Sequence, residues 1–371
     1  MKVLLINEVF GTTSTGKICA RIAEDYAADG CEVKAAFGRW ADVPEKYRQF
    51  AYRIGSDTDV KLHGVLTRVF DAHGLGSVSA TKSFIRWAEE YDPDLLWLHN
   101  IHGYYINYPL LFRWIKSRPD MEVRWTLHDC WAFTGHCSYF SMIGCEKWQT
   151  GCRDCPKKRD YPASMLFDRS AGNYADKKAA FCGVKKMTLI TPSEWLAGLV
   201  RKSFLKDYPV EVHYNTVDTS VFKNTPSDFR EKNGLVEKKI LLGVANVWEE
   251  RKGLQDFLRL REMLDDSYVI VLVGLSQKQM QEMPQGVIGV SRTNNAEELA
   301  GLYSTADLFI NPSYEETFGL TAVEAQSCGT PAVVYKNTAC EEVALKYGGI
   351  VVEQGAENIR KAVSDFFERK E

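Results

Sequence analysis

Strand-length apolar runs alternate along the chain with stretches whose apolar residues recur every three or four positions. That alternation predicts parallel β-sheets joined by crossover helices, an α/β class that binds ligands at the carboxyl ends of its strands. The first run is 2–7. A polar loop with Gly11 and Gly16 follows, then a helix that turns Ile18, Ile22, Ala23 and Tyr26 inward. Further strands are predicted at 31–37, 94–98, 123–127, 187–191 and 210–214, with Pro192-Ser193-Glu194 opening a helix between the last two. The runs at 94–98 and 123–127 lead into His99 and His128, which places both histidines on the ligand edge. Between Cys130 and Arg169 periodicity is lost for longer than a plain loop allows, so this stretch needs its own means of ordering.

A polar segment after Asn215-Thr216-Val217-Asp218, containing Pro226 and Asn233-Gly234, reads as a connection between domains. A second α/β pattern begins beyond it, with strands predicted at 240–245, 268–273, 286–289, 308–310 and 331–334 and helices at 253–264, 296–304 and 320–327. The expected organisation is a first domain over 1–217 with a cysteine-rich insertion at about 130–169, and a second over 218–355. A terminal helix within 356–371 is expected to pack back on the first domain. A length of 371 residues suits about two such domains.

Charge changes the picture by exclusion. Lys and Arg number 46 against 49 Asp and Glu, a net of −3, and 45% of residues are hydrophobic, which argues against disorder and against a nucleic-acid partner. No apolar run approaches the roughly 20 residues of a membrane span. The opening run meets Asn7 and Glu8 before a signal segment develops, so the expected location is cytoplasmic. Any membrane contact would be peripheral, at the inner face, and no convincing basic amphipathic helix announces it.

Five cysteines lie between Cys130 and Cys155 in the spacing C-x6-C-x7-C-x6-C-x2-C. Cys137, Cys145, Cys152 and Cys155 supply four soft ligands suited to a tetrahedral structural zinc. Only one C-x2-C knuckle is present, so reduced core thiols and a disulfide or redox pair stand as the alternatives.

The passage richest in chemistry runs from Asn311-Pro312-Ser313 through Glu316-Thr317-Phe318-Gly319-Leu320 to Glu324-Ala325 and Cys328-Gly329-Thr330-Pro331. It reads as strand end, tight loop, helix, glycine stop and new strand. Amides of Phe318, Gly319 and Leu320 fall at the helix start, an anion site suited to a diphosphate. Glu316 precedes the helix and Glu324 lies inside it, so one carboxylate can face a sugar while the other takes ribose hydroxyls. Arg251 and Lys252, just after the first strand of the second half, form a cation pair able to neutralise a departing diphosphate. The bland alternatives are solvated glutamates and a solvated helix start.

This set of residues resembles the E-x7-E motif and its surroundings in the GT4 family of retaining nucleotide-sugar glycosyltransferases. The resemblance implies the GT-B fold, two facing Rossmann-like domains with a deep interdomain cleft. It implies transfer of a sugar from a nucleoside-diphosphate-sugar, UDP favoured over GDP, to a hydroxyl of a glycan or lipid-linked glycan. Configuration would be retained and no cofactor required for catalysis, in a setting of bacterial surface polysaccharide. By the same resemblance Glu324 binds the ribose, Glu316 lies near the transferred sugar, and Gly16 of Thr15-Gly16-Lys17 belongs to a glycine loop facing the donor. His128 stands beside the donor sugar, with Asp129 orienting it or capping the turn. The loop 290–294, with Arg292, would meet the base. His99, Asn100 and His102 are acceptor-side candidates, and Trp131, Phe133, Tyr139 and Phe140 either line that side or belong to the core. The motifs at 191–195 and 215–218 read as architectural. Asp92-Pro93-Asp94 has the letters of a metal-binding D-x-D but precedes a strand.

One position departs from the family pattern: Asn246 stands where an arginine is usual, six residues before Lys252. That substitution keeps open a non-catalytic nucleotide-sugar-binding scaffold. A related GT-B activity, such as a nucleotide-sugar epimerase or a phosphorylase-like reaction, is a further alternative.

Overall fold

The computed structural model describes residues 1–40 and 42–369. The chain forms two compact units, Met1–Pro192 with Leu196–His213, and Ser193–Trp195 with Tyr214–Glu371.

The first unit contains β1 (Lys2–Asn7), α1 (Thr13–Ala28), β2 (Glu32–Phe37), β3 (Ala51–Arg53), α2 (Asp57–Phe70), α3 (Val78–Tyr91), β4 (Leu95–Leu98), α4 (Tyr108–Lys116), β5 (Glu122–Thr126), α5 (Ser170–Phe181), β6 (Met187–Thr191) and β7 (Val210–Val212). Its seven strands pair in parallel in the order β3-β2-β1-β4-β5-β6-β7. Val3 to Ile6 of β1 and Leu95 to Leu98 of β4 sit side by side, in register and buried on both faces. Double-sided burial is why these strands read as unbroken apolar runs. The predicted strands all form, to within a residue or two at their ends. The edge strand β3 was not predicted, because three residues carry no periodicity.

Residues 131–169 contain only three short 3₁₀ turns, Trp131–Phe133, Ser141–Ile143 and Lys147–Gln149. Aromatic packing and buried charged groups help to order them. Phe133, Phe140 and Trp148 pack ring on ring, with Phe140 and Trp148 stacked at 4.9 Å. Asp71, buried in a left-handed conformation at the end of α2, ion-pairs with His136 at 2.6 Å and accepts the Arg169 N–H at 2.8 Å. Lys177 of α5 donates to the Trp131 and Thr134 carbonyls at 2.7 and 3.0 Å and lies 3.6 Å from the centroid of the Trp131 ring. Burial lowers this ammonium to about 7, while the three contacts satisfy its donors. Trp131, Phe133 and Phe140 are thus core residues.

After α6 (Glu194–Val200), whose first turn belongs to the second unit, that unit adds α7 (Phe229–Lys232), β8 (Lys239–Val244), α8 (Leu254–Glu262), β9 (Tyr268–Val273), α9 (Gln277–Gln281), β10 (Val287–Val290), α10 (Ala296–Thr305), β11 (Leu308–Asn311), α11 (Leu320–Ser327), β12 (Ala332–Tyr335), α12 (Ala339–Lys346), β13 (Ile350–Val352) and α13 (Ala356–Glu368). The six strands are parallel, in the order β10-β9-β8-β11-β12-β13. α13 buries Ile359, Val363 and Phe367 in the same cluster as Phe257 and Leu260 of α8. Its apolar face completes the core of the second unit. Residues 370–371 of the expected terminal segment lie outside the described residues. Among the described residues no helix is long and apolar enough to cross a membrane.

Candidate functional site

In the second unit the strand order reverses where β8 lies beside β11, the point at which open α/β sheets bind ligands. The loop after β8 carries Arg251 and Lys252; the loop after β11 carries Glu316 and leads into α11. Gly253 brings the loops together. Its φ is +72°, and an added Cβ would lie 2.2 Å from the Pro312 carbonyl oxygen, so only glycine fits. The Tyr314 N–H donates to the Arg251 carbonyl at 2.8 Å, and the Arg251 guanidinium donates to the Glu315 carbonyl at 3.3 Å and to Glu249 at 3.0 Å.

Across this junction Lys252 and Glu316 form an ion pair, each side chain largely shielded from solvent. Burial pushes the Glu316 carboxyl up, but the Lys252 ammonium and the Arg251 guanidinium outweigh it and hold the group below the usual carboxylate range. An ammonium has three donors, so Lys252 can hold Glu316 and still offer N–H to a phosphate oxygen.

Gly319 caps the start of α11 with φ +84°, and a Cβ there would meet Cys340 Sγ at 2.5 Å. The Phe318 side chain is buried with Val323 and Val343, against Tyr214, Val217 and Leu320. What Phe318, Gly319 and Leu320 present to an anion is therefore backbone N–H, aided by the positive end of the helix. Glu324, one turn further in, accepts a hydrogen bond from the Tyr303 hydroxyl at 2.9 Å. The sequence reading missed Tyr303, because it lies on α10 and no spacing rule links it to Glu324. Arg292 is exposed after β10, in a loop whose Asn294 N–H and side-chain amide both donate to Glu298, at 2.6 and 2.9 Å. Asn246 is exposed.

The first unit has its own reversal, between β1 and β4. Asn7 ends β1 and its side-chain carbonyl accepts the Asn100 N–H at 3.1 Å, while the Tyr105 hydroxyl donates to the Asn100 carbonyl at 2.8 Å. His99 Nδ1 and His128 Nε2 share a proton across 3.0 Å with their rings stacked. Burial lowers both imidazoles, His128 to about 4 and His99 well below its ordinary value, so the pair is neutral at neutral pH. His102 lies opposite Asp129 at 3.1 Å and also meets the Tyr161 hydroxyl at 3.1 Å. Burial opposes the His102 charge, yet the Asp129 carboxylate prevails and raises its pKa. Asp129 also accepts the Trp131 N–H at 2.8 Å. It caps the turn as expected, but the histidine it pairs with is His102, since His128 turns toward His99. Gly16 is buried in the first turn of α1, packed on Val9, and its carbonyl accepts the Gly11 N–H at 3.0 Å.

The cysteines of the insertion are free thiols. Cys137 and Cys155 hydrogen-bond to each other, and Cys152 accepts the Gly135 N–H at 3.1 Å. Among the described residues no group of three or more His, Cys, Asp or Glu side chains is placed to hold a metal ion. Two cavities lie away from all these residues: one of 610 Å³ between α7 and α10, and one of 860 Å³ at the amino ends of β1, β5 and β6.

Residues 227–371 match the family model described as Glycosyl transferases group 1. The chain is 26% identical over 271 residues to the putative colanic acid biosynthesis glycosyl transferase WcaC of Escherichia coli K12, a match covering 71% of this chain and 64% of WcaC. It thus spans less than two thirds of that relative. Among solved structures, the sucrose-phosphate synthase of Thermosynechococcus elongatus superposes with a TM-score of 0.70 at 17% identity, covering 99% of this chain and 90% of the other. Anabaena Alr3699/HepE, solved in complex with UDP and glucose, gives 0.64 at 17% identity, covering 99% and 90%. The architecture of two parallel-sheet α/β domains is thus that of GT-B glycosyltransferase structures.

Proposed function

We propose that the protein is a retaining glycosyltransferase that moves a sugar from a nucleoside-diphosphate-sugar to a hydroxyl of a glycan or lipid-linked glycan, in bacterial surface polysaccharide synthesis. The observation that carries this reading is the junction of Lys252, Arg251 and Glu316 at the β8/β11 reversal, with the start of α11 and Glu324 beside it. A diphosphate needs fixed positive charge where its own charge grows as the C1–oxygen bond breaks. Lys252, Arg251 and the first amides of α11 supply that. Glu324, oriented by Tyr303, accepts from ribose hydroxyls, and Glu316 holds Lys252 while its carboxylate faces the sugar. The acceptor oxygen bonds to C1 on the face the diphosphate leaves, and its proton passes to a phosphate oxygen of the leaving group. No metal enters this scheme, and neither Glu316 nor His128 is a covalent nucleophile.

UDP is the favoured nucleotide. The UDP complex of HepE supports it, as the name of WcaC supports a polysaccharide acceptor. The match of residues 227–371 to the group 1 glycosyl transferase model supports a sugar-transfer site in the second unit, where Arg292 and the loop 290–294 would meet the base of a GT4-type donor.

The test is thermal stabilisation by UDP and GDP, followed by product analysis with UDP-sugars. Stabilisation by UDP that is lost in Glu324→Ala, with a larger acceptor product, is the expected result. Absence of stabilisation by either nucleotide would reject the donor site. Binding without turnover on any acceptor would favour the scaffold suggested by Asn246, and donor isomerisation without acceptor an epimerase.

A further inference from the structure

The chain has ten cysteines, all free thiols, and several have an evident place in its packing. Cys19, Cys328 and Cys340 are buried in apolar cores. Cys137 and Cys155 differ, because their sulfur atoms face and hydrogen-bond each other. Both lie in irregular backbone, outside the 3₁₀ turns of the insertion, where small shifts of the chain can meet the geometry an S–S bond demands.

Each of the two is held from its own side. The Thr134 hydroxyl donates to the Cys137 carbonyl at 2.6 Å. The Cys155 N–H donates to Asp168 at 2.6 Å, and the other Asp168 oxygen takes the Ser170 N–H at 2.8 Å. The encounter of the two sulfurs is thus prepared by the fold, which makes a reaction between them effectively unimolecular.

The nearest alternative partner is turned elsewhere. Cys152 Sγ accepts the Gly135 N–H at 3.1 Å, and a Cβ on Gly135 would lie 2.6 Å from the Cys152 Cβ, so this contact is tight. Cys137 is 8% exposed and Cys155 is half-buried, so a soluble oxidant reaches Cys155 first. The Lys157 N–H and the His136 ring face the Cys155 sulfur and support negative charge on it, against the Asp168 carboxylate, which opposes it.

We propose that Cys137 and Cys155 are a thiol–disulfide modification site, converted to an intramolecular disulfide by a small disulfide oxidant of the glutathione class. In the first step the Cys155 thiolate attacks one sulfur of glutathione disulfide; that S–S bond breaks, a Cys155–glutathione bond forms and one glutathione leaves as thiolate. Cys137, having lost its proton, then attacks Cys155 Sγ and displaces the second glutathione. Two protein thiols are oxidised, one glutathione disulfide is reduced to two thiols, and the two protons end on them. The new bond closes a covalent loop over 137–155 that contains the turns Ser141–Ile143 and Lys147–Gln149 and the stacked rings of Phe140 and Trp148. Loop closure restricts the unfolded chain, so the oxidised form is the more stable. This stands independently of the donor chemistry, since it uses none of the residues placed there.

The experiment treats the full chain, first reduced, with glutathione disulfide, blocks the remaining thiols by alkylation and maps its peptides by mass spectrometry without reduction. The wild type is expected to show a Cys137–Cys155 crosslink and to melt about 5 °C or more above the reduced chain. Cys137→Ala removes the second attacking thiol and should leave glutathione attached to Cys155, without the rise in melting temperature. Cys155→Ala should lose both adduct and crosslink, while Cys152→Ala keeps the crosslink. The wild-type map depends on no variant folding. A crosslink between Cys152 and Cys155 overturns the proposal, as do Cys137 and Cys155 thiols that remain open to alkylation after the oxidant. A metal ion found on the reduced wild type by native mass spectrometry, and lost in Cys137→Ala, would overturn it as well and assign the sulfurs to that metal.

Discussion

At the β8/β11 reversal of the second unit two formal charges, Lys252 and Glu316, face each other with Arg251 beside them. In the first unit, at the carboxyl ends of β4 and β5 next to the β1/β4 reversal, the facing pair is His99 and His128, both held neutral by burial. The carboxyl-end loops of two parallel sheets are thus filled by opposite chemistry. The topology determines where loops converge; the loop residues determine whether that place suits an anion or a neutral, hydrogen-bonding molecule such as a sugar. Close by in the first unit, the His102–Asp129 pair shows that burial alone does not keep an imidazole neutral there. One adjacent carboxylate is enough to reverse the outcome.

The largest test of this contrast is Lys252→Ala. Removing the cation should lower turnover, followed by released nucleoside diphosphate, by about 10²–10³-fold, and undiminished turnover would reject its role. Gly253→Ala strikes the junction itself and should cost about 1–3 kcal/mol of stability in urea unfolding, with turnover falling as well because the two loops separate. Glu324→Ala should weaken nucleoside-diphosphate binding about tenfold, the loss of one charge-assisted hydrogen bond. Tyr303→Phe should cause a smaller part of that loss.

The histidines give a test by pH. His99 and His128 bind a proton less readily in the fold than in the unfolded chain, so they favour unfolding as pH falls from about 6.5 toward about 4. His128→Asn should flatten that slope by up to about 1.4 kcal/mol per pH unit. His102 has the opposite sign. Its raised pKa contributes stability that is complete below about 6.5 and is lost as pH rises through the folded value. Asp129→Asn should abolish this contribution, read as a smaller loss of stability on going from pH 6 toward 8. The smallest expected effect is that of Arg292→Ala, an exposed side chain at the base loop, at roughly threefold or less in nucleotide affinity.

Much of this was legible in the chain. Unbroken apolar runs such as 2–7 and 268–273 predicted strands that form with those bounds, because buried parallel strands need apolar residues on both faces. Glu316, Lys252 and Arg251 meet because short loops leave adjacent strand ends, and motif and topology agree about them. Three things were hidden. The His102–Asp129 and His99–His128 pairing depends on ring orientation, which sequence spacing does not encode. Lys177 and Asp71 order the insertion from helices far along the chain, so the cysteines drew the attention instead. α2 was hidden most thoroughly: Leu62, Val65, Leu66 and Phe70 have the spacing of an ordinary amphipathic helix, yet they are exposed while His63 and Thr67 are buried, and nothing in the pattern says which face turns inward.

The contact between Gly253 and the Pro312 carbonyl also bears on engineering. Neither loop can be lengthened, swapped or randomised by itself without breaking the fit that positions the other. A library aimed at a new donor would have to vary 249–253 and 312–316 as one cassette, with position 253 fixed as glycine.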